Sequence, residues 1–325
     1  LVKNNKNYST APGFWFRTDT GVIKNTNLPL MSKDEMDLLP PLMYQDGELI
    51  YHRDKGFTPL HTNDILHFTG LSYNTVWSIG CPLKCTFCGN SKFIEYDDAY
   101  RRLRHSSSRT IVDEIKRAVN KHPHIGTVVF HDDSFLALPY KVLQEFCELW
   151  KKEVRIPFAV FGVIPNYVSE DKIALLLDAG MNRVRMGIQS GSQAILDFYQ
   201  RPTPITRIHE AMRILNKYQR YMIPPAFDII LENPVETPED TRATLDLLYE
   251  MPRPFTLNIF GLRLIPNTQL EKDIQAKGID LLSIKTSYHS ACQATLGTVL
   301  VFALVVWRMP RRIYSVLRNK VLPTP

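Results

Sequence analysis

Three cysteines fall within eight residues, in the stretch Gly80-Cys81-Pro82-Leu83-Lys84-Cys85-Thr86-Phe87-Cys88-Gly89-Asn90. Spacings of four and three in a Gly- and Pro-bounded loop suit thiolates that hold three corners of a [4Fe–4S] cube, whose usual complement is four cysteines. The fourth iron would then lack a protein ligand, and an open position is what separates catalytic metal sites from closed structural ones. Other readings stand beside this one. Residues at i, i+4 and i+7 would also line one buried helix face, although Pro82 and the flanking glycines argue against a helix running through. A zinc site would need a fourth ligand such as His105 and lacks the paired C-x2-C spacing. A disulfide framework does not suit a long chain with five cysteines, an odd number.

Elements able to position such a loop begin at Thr75. Apolar runs predict strands at 75–79, 127–130, 158–163, 183–188, 227–231 and 256–264. Helical patterns lie between them at 111–121, 141–153, 171–179, 192–200 with 205–218, and 238–249. Thr237-Pro238-Glu239-Asp240 has the cap, proline and acids of a helix start, Ser169 precedes another, and Gly180 suits a helix end. Six strands alternating with helices imply an α/β fold of parallel, right-handed units, a partial (β/α)6 barrel, because a closed barrel takes eight. Chemistry in such folds gathers at the C-terminal strand ends, where the cysteine loop stands. Three regions follow: an irregular segment 1–70, the barrel at 71–280, and a helical extension at 281–325. Within the first, 36–42 reads as a turn-rich linker and 48–52 as a short strand, with His52, His61 and His67 expected at the surface or satisfied locally. Cys147 lies on an apolar helix face with Val142, Leu143, Phe146 and Trp150 and is expected in the core, and Cys292 stands alone.

A chain of 325 residues with 44% apolar and 22% charged residues has ordinary globular composition. Few cysteines and no leader-like start predict a reducing cytoplasm, while a first residue of Leu1 rather than Met suggests missing upstream sequence. The formal charge of +6 is uneven. After Asp280 the charged residues are Lys285, Arg308, Arg311, Arg312, Arg318 and Lys320, so the first 280 residues are balanced. Charge therefore gives no argument for a nucleic-acid partner on the body. Residues 294–307 are nearly all apolar but short of the ~20 needed to span a bilayer. They suit a buried C-terminal helix, or an interfacial one whose basic flank rests on anionic lipid at the inner face of the membrane, an arrangement fitting a lipid-like substrate.

The CxxxCxxC motif, with Phe87 just before its third cysteine, resembles the signature of the radical S-adenosylmethionine (SAM) superfamily. Later segments resemble its cobalamin-binding branch: HDDSF from His131, MGIQSGSQAILDFYQR from Met186, ENPVETPED from Glu232 and IPNTQL from Ile265. The resemblance spans 71–278. It implies a partial barrel of the radical SAM type, with Cys81, Cys85 and Cys88 holding a [4Fe–4S] cluster whose open iron is chelated by SAM. An external donor of the flavodoxin or ferredoxin type would supply the electron for reductive cleavage. Cobalamin-dependent methyl transfer, or a related C–C bond-forming or rearranging reaction on a small molecule, is the activity implied. A cobalamin-independent oxidoreductase or cyclase is the runner-up, and a non-catalytic cluster- or zinc-binding module the third reading. Among cofactor contacts, the resemblance points to Phe87, Gln189, Ser190, Arg201, Asp133 and Glu236, with Asp132 beside them. Gln189 and Ser190 could equally close a strand and cap the helix at Ser192. Glu232 and Val235 stand where the family commonly has Gly, which puts adenine contacts from that loop in doubt. Residues 1–70 are too short for the branch's cobalamin-binding domain.

Overall fold

Six strands form one sheet in which each pairs, in parallel, with its neighbours in sequence: β1 (Ser72–Thr75), β2 (Thr127–Phe130), β3 (Phe158–Val163), β4 (Met181–Gln189), β5 (Ala226–Leu231) and β6 (Thr256–Gly261). The computed structural model describes residues 8–41, 47–280 and 295–321. Among these, β1 and β6 are the free edges, so the barrel is partial, as the strand count predicts.

Alternation along the strands sets the two faces of the sheet. Tyr73, Val128, Phe130, Val160, Val184, Met186, Ile188, Phe227 and Ile229 point outward and are almost fully buried. They pack under the apolar stripes of α1 (Ser108–Lys121), α2 (Tyr140–Glu153), α3 (Glu170–Asp178), α4 (Ile205–Lys217) and α5 (Pro238–Glu250). Burial of each such side chain contributes about 1.5–3 kcal/mol, which is why the outer face is almost wholly apolar. Opposite parity carries Asn74, Arg185, Gly187, Gln189, Asp228 and Asn258, all partly exposed on the inner face. Cys147 is fully buried on α2 beside Phe146 and Trp150, as its helical pattern predicts. Cys292 lies outside the described residues.

Boundaries differ from expectation at a few places. The first barrel strand is Ser72–Thr75 rather than 75–79, because its inward positions, Ser72 and Asn74, are polar and break the apolar run. Ser78–Ile79 instead pairs antiparallel with Arg104–His105 as a two-residue ribbon. The last barrel strand stops at Gly261. Met36 belongs to a helix, Lys33–Asp37, started by a Ser32–Glu35 capping box, and not to a linker. Leu49–His52 is a strand, as expected, paired with Gly56–Pro59. Thr237 caps α5 through a capping box with Asp240, while Ser169 precedes α3 without a side-chain cap bond.

After the barrel come α6 (Gln269–Ala276), α7 (Leu296–Val306) and α8 (Arg311–Asn319). Leu300, Val301 and Leu304 of α7 are buried in the main core, and α8 returns along α5, where Tyr314 stacks on Tyr249 at 4.1 Å. Tyr314 and Arg318 both donate to Asp246 of α5. At 11 residues α7 is far too short to cross a bilayer, and no helix among the described residues is long and apolar enough to do so.

Candidate cluster and cofactor site

The cysteine loop is fastened at every turn. Cys81 N donates to Tyr100 O at 3.2 Å, Thr86 N to Tyr199 O at 2.9 Å, and Leu270 N to Thr86 O at 3.1 Å. Ser134 Oγ donates to Gly80 O at 3.2 Å, and Ser91 Oγ to Cys88 O at 2.7 Å. Gly80, at φ +118°, has no room for a side chain: a Cβ would stand 2.7 Å from the carbonyl oxygens of both Tyr100 and Arg102. The segment entering the loop is held by Asp132, whose fully buried carboxylate accepts from Trp77 N at 3.0 Å and Ser78 N at 2.7 Å. Burial raises Asp132 to about 6, against those hydrogen bonds. Asp132 therefore braces the loop; its carboxylate does not face the cavity as a cofactor contact would.

Cys81 and Cys85 are buried and Cys88 is half-buried, and none of the three forms a disulfide. Burial pushes Cys81 up to about 12 and also raises Cys88, with the neighbouring cysteines and Asp133 adding like-charge repulsion. Thiols so placed are protonated at neutral pH and become ligands only where a metal displaces the proton. Among the described residues no three Cys, His, Asp or Glu side chains converge as the ligands of a single ion would. A cube does not ask for that, because each cysteine binds a different iron. His105 stays apart, with Nδ1 2.8 Å from Ser106 O and its ring edge-on to Trp77.

Arg201 lies against this group, 6% exposed. Its Nη1 donates to Cys85 Sγ at 3.6 Å and its Nη2 to Gly187 O at 2.7 Å. Nε is buried and, among the described residues, has no acceptor. Gly187 makes room for this: a Cβ there would sit 2.5 Å from Gln189 Nε2 and 3.3 Å from Arg201 Nη2. Gln189 ends β4 in the left-handed region, φ +75°, and its side chain lines a cavity of about 560 Å³ with Phe87, Asp228, Ile230, Phe260 and Leu262. The cavity therefore runs from the cysteine loop to the ends of β5 and β6. Phe87 packs edge-on to Tyr199 at 5.0 Å.

The remaining residues singled out from sequence fall in different places. Ser190 is fully buried; its hydroxyl bonds Thr244 Oγ1 at 3.2 Å and accepts from Ser192 N at 3.1 Å, so it ties β4 to α5. Asp133 is exposed beside the cysteines and Tyr100. Glu236 stands half-buried after β5, pushed up to about 8 by burial and by the nearby Asp240, next to a pocket of about 20 Å³ with room for little more than water. Glu232 adopts φ +59°, a conformation that suits Gly better.

Sequence reasoning missed a polar group on the inner face of the sheet. Arg185 Nε donates to both carboxylate oxygens of Asp228, at 2.8 and 3.0 Å, and Asn258 Nδ2 donates to Asp228 Oδ1 at 2.8 Å. Across the sheet His131 Nε2 lies 3.0 Å from Asn74 Oδ1, and its ring meets Phe161 edge-on. The signal was present in β4, where Arg183, Arg185 and Gln189 alternate with Val184, Met186 and Ile188.

Comparison with known proteins identifies the family. The family model of the radical SAM superfamily matches residues 75–248. Two curated relatives are anaerobic magnesium-protoporphyrin IX monomethyl ester cyclases. That of Rubrivivax gelatinosus is 28% identical over 176 residues, covering 54% of this chain and 29% of the relative. That of Cereibacter sphaeroides is 27% identical, over 53% of this chain and 26% of the relative. This chain thus spans under a third of the length of either. Among solved structures, the radical SAM methyltransferase TsrM from Kitasatospora setae, with tryptophan and a SAM analogue bound, superposes with a TM-score of 0.65 at 16% identity, over 85% of this chain and 51% of that one. The cobalamin-dependent SAM radical enzyme OxsB superposes at 0.63 and 17%, over 86% and 43%. These likenesses extend the partial barrel to known three-dimensional relatives, and the matched segment contains all three cysteines together with β2 to β5. The chain belongs to the radical SAM superfamily, whose cofactors are a [4Fe–4S] cluster and S-adenosylmethionine.

Proposed function

We propose that this chain binds a [4Fe–4S] cluster through Cys81, Cys85 and Cys88 and cleaves SAM reductively to begin radical chemistry on a small molecule. The observation that carries this is the mount: three free cysteines in a loop bonded to four other segments, at the mouth of a cavity between β4 and β6. When bound, the cluster and SAM supply one-electron cleavage to methionine and a 5′-deoxyadenosyl radical. What the chain's own residues do is hold and orient. Arg201 offers Nε and the rest of a buried guanidinium to the SAM carboxylate, a planar anion that suits it. The exposed Asp133 carboxylate suits the cationic amino group. Gln189 and Phe87 line the wall along which the nucleoside would lie, and Glu236, raised to about 8 by burial, could donate a hydrogen bond from the segment after β5, beside a separate small pocket. Ser190 supports these contacts from behind.

The reaction we favour is cobalamin-assisted methyl transfer or a related C–C bond-forming step, on the shape shared with TsrM and OxsB. Sequence similarity to the two cyclases favours ring closure as the second reading. An external one-electron donor belongs to either. The test is anaerobic reconstitution with iron and sulfide followed by SAM and a reductant. Methionine and 5′-deoxyadenosine should appear, and Cys85→Ala should abolish both cluster and cleavage. Cleavage retained in that variant would refute the ligand set.

The C-terminal helices add a proposed membrane contact. One face of α7 and the residue after it expose Val299, Phe302, Val306 and Trp307, α8 exposes Ile313 and Val316, and the exposed Arg308, Arg311 and Arg312 lie between them. An apolar stripe with a tryptophan and a cationic flank is the composition that rests on anionic lipid.

A further inference from the structure

Arg185 is a cation on the inner face of the sheet whose charged end the fold aims without using fully. Its Nε is taken by Asp228, but neither terminal nitrogen has a hydrogen-bond partner among the described residues, and neither is sealed from solvent. The side chain is 31% exposed, and its guanidinium carbon lies 5.5 Å from the ring centres of both Phe161 and Phe260. Two aromatic faces and a fixed Nε leave the planar fork little freedom, so a ligand that meets it finds the donors already arranged. Asp228 and Phe260, both in contact with Arg185, belong to the wall of the cavity that also contains Phe87 and Gln189. The rest of that wall is Ile230, Ile259, Gly261, Leu262 and Ile265, with Arg263 as a second cation.

An arginine already paired through Nε is commonly a closed structural ion pair. Two features distinguish this one. Asp228 is itself held by Asn258, so the carboxylate is satisfied without the guanidinium's terminal nitrogens. Those nitrogens are also partly exposed beside two residues of the cavity wall, and four unused N–H donors near apolar surface select for an anionic acceptor. Guanidinium meets carboxylate through two parallel hydrogen bonds, a match no neutral group reproduces.

We infer that Arg185 is a substrate-anchoring residue, and that the molecule the cavity takes is a largely apolar compound with a carboxylate that docks on Arg185 between Phe161 and Phe260. This rests on the proposed function only in taking the cavity as the place where substrate lies.

Equilibrium dialysis of the reconstituted full chain against pyrenebutyrate and its neutral alcohol, pyrenebutanol, tests it. The acid should bind about tenfold more tightly than the alcohol, in keeping with one charge-assisted hydrogen-bonded pair. Arg185→Gln should close that gap by weakening the acid alone. Should the glutamine variant fail to fold, Arg185→Lys keeps the charge without the fork and should narrow the gap. Equal binding of acid and alcohol by the wild type, or an unchanged gap in a folded variant, overturns the assignment. Displacement of the acid by inorganic phosphate at lower concentration than by benzoate would also overturn it, in favour of a phosphate-bearing ligand. The two proposals fail separately: SAM cleavage without discrimination between the probes removes only this one, and discrimination without SAM cleavage removes only the proposed reaction.

Discussion

Arg201 is placed so that one guanidinium meets a cluster ligand and keeps a nitrogen in reserve. Its contact with Cys85 Sγ puts a positive charge and an N–H beside a sulfur that would carry cluster charge. Such contacts stabilise the more negative, reduced form. Replacing Arg201 by Gln should make the cluster's midpoint potential in the absence of SAM more negative by roughly 60 mV, the one-electron equivalent of ~1.4 kcal/mol. A potentiometric titration followed by EPR reads this, and an unchanged potential would mean the contact does not reach the cluster. The cysteines themselves were legible from type and spacing alone, since few other arrangements put three thiols in a proline-containing loop. Asp132 was not. Its side chain could have capped a turn or entered the cavity, and only the position of Trp77 and Ser78 against the end of β2 shows that it braces the loop. Arg185 was missed for a related reason: a charged residue in a strand has meaning only once the parity of the barrel's inner face is known.

At the level of elements, the connection from β5 to α5 combines a readable half with an unreadable one. Thr237, Pro238 and Asp240 mark the helix start from local chemistry, and the capping box forms as those residues dictate. The preceding Glu232 and Glu236 depend on what surrounds them. Glu236 is raised to about 8 by burial, then by Asp240. A carboxyl whose folded value lies above its unfolded one stabilises the fold fully below its ordinary value of 4.5 and loses that contribution as pH rises through 8. Between about pH 5 and pH 9 the wild type should therefore lose on the order of 4 kcal/mol of stability relative to Glu236→Gln. Denaturant unfolding at the two pH values checks this, and parallel pH dependence of the two proteins would contradict the buried, protonated state. Strands β2 and β3 matched their apolar runs residue for residue, because both are apolar over most of their length. β1 was displaced by three residues for the opposite reason, its inward positions being polar.

For the whole molecule, charge and apolar surface are distributed unevenly. The first 280 residues balance, and the cations cluster on the helices that follow, beside an exposed apolar stripe on which Val306 is 85% and Phe302 57% exposed. The full chain should float with vesicles containing phosphatidylglycerol at low salt and not with phosphatidylcholine alone. Arg311→Gln with Arg312→Gln should lower partitioning about 25-fold, at roughly fivefold per arginine. Absence of flotation at low salt would refute the membrane contact and leave the stripe to another occupant. The barrel's architecture was legible from six alternating units, whereas the half-buried, half-exposed state of α7 was not, because an all-apolar segment carries no stripe to say which face is covered. By the proposed function, three cysteines leave one iron of a cluster open for SAM. EPR of the reduced, reconstituted protein, with and without SAM, tests it most directly. About four irons per chain and a [4Fe–4S] spectrum that changes on adding SAM are expected; a full complement of iron with a spectrum indifferent to SAM would contradict it.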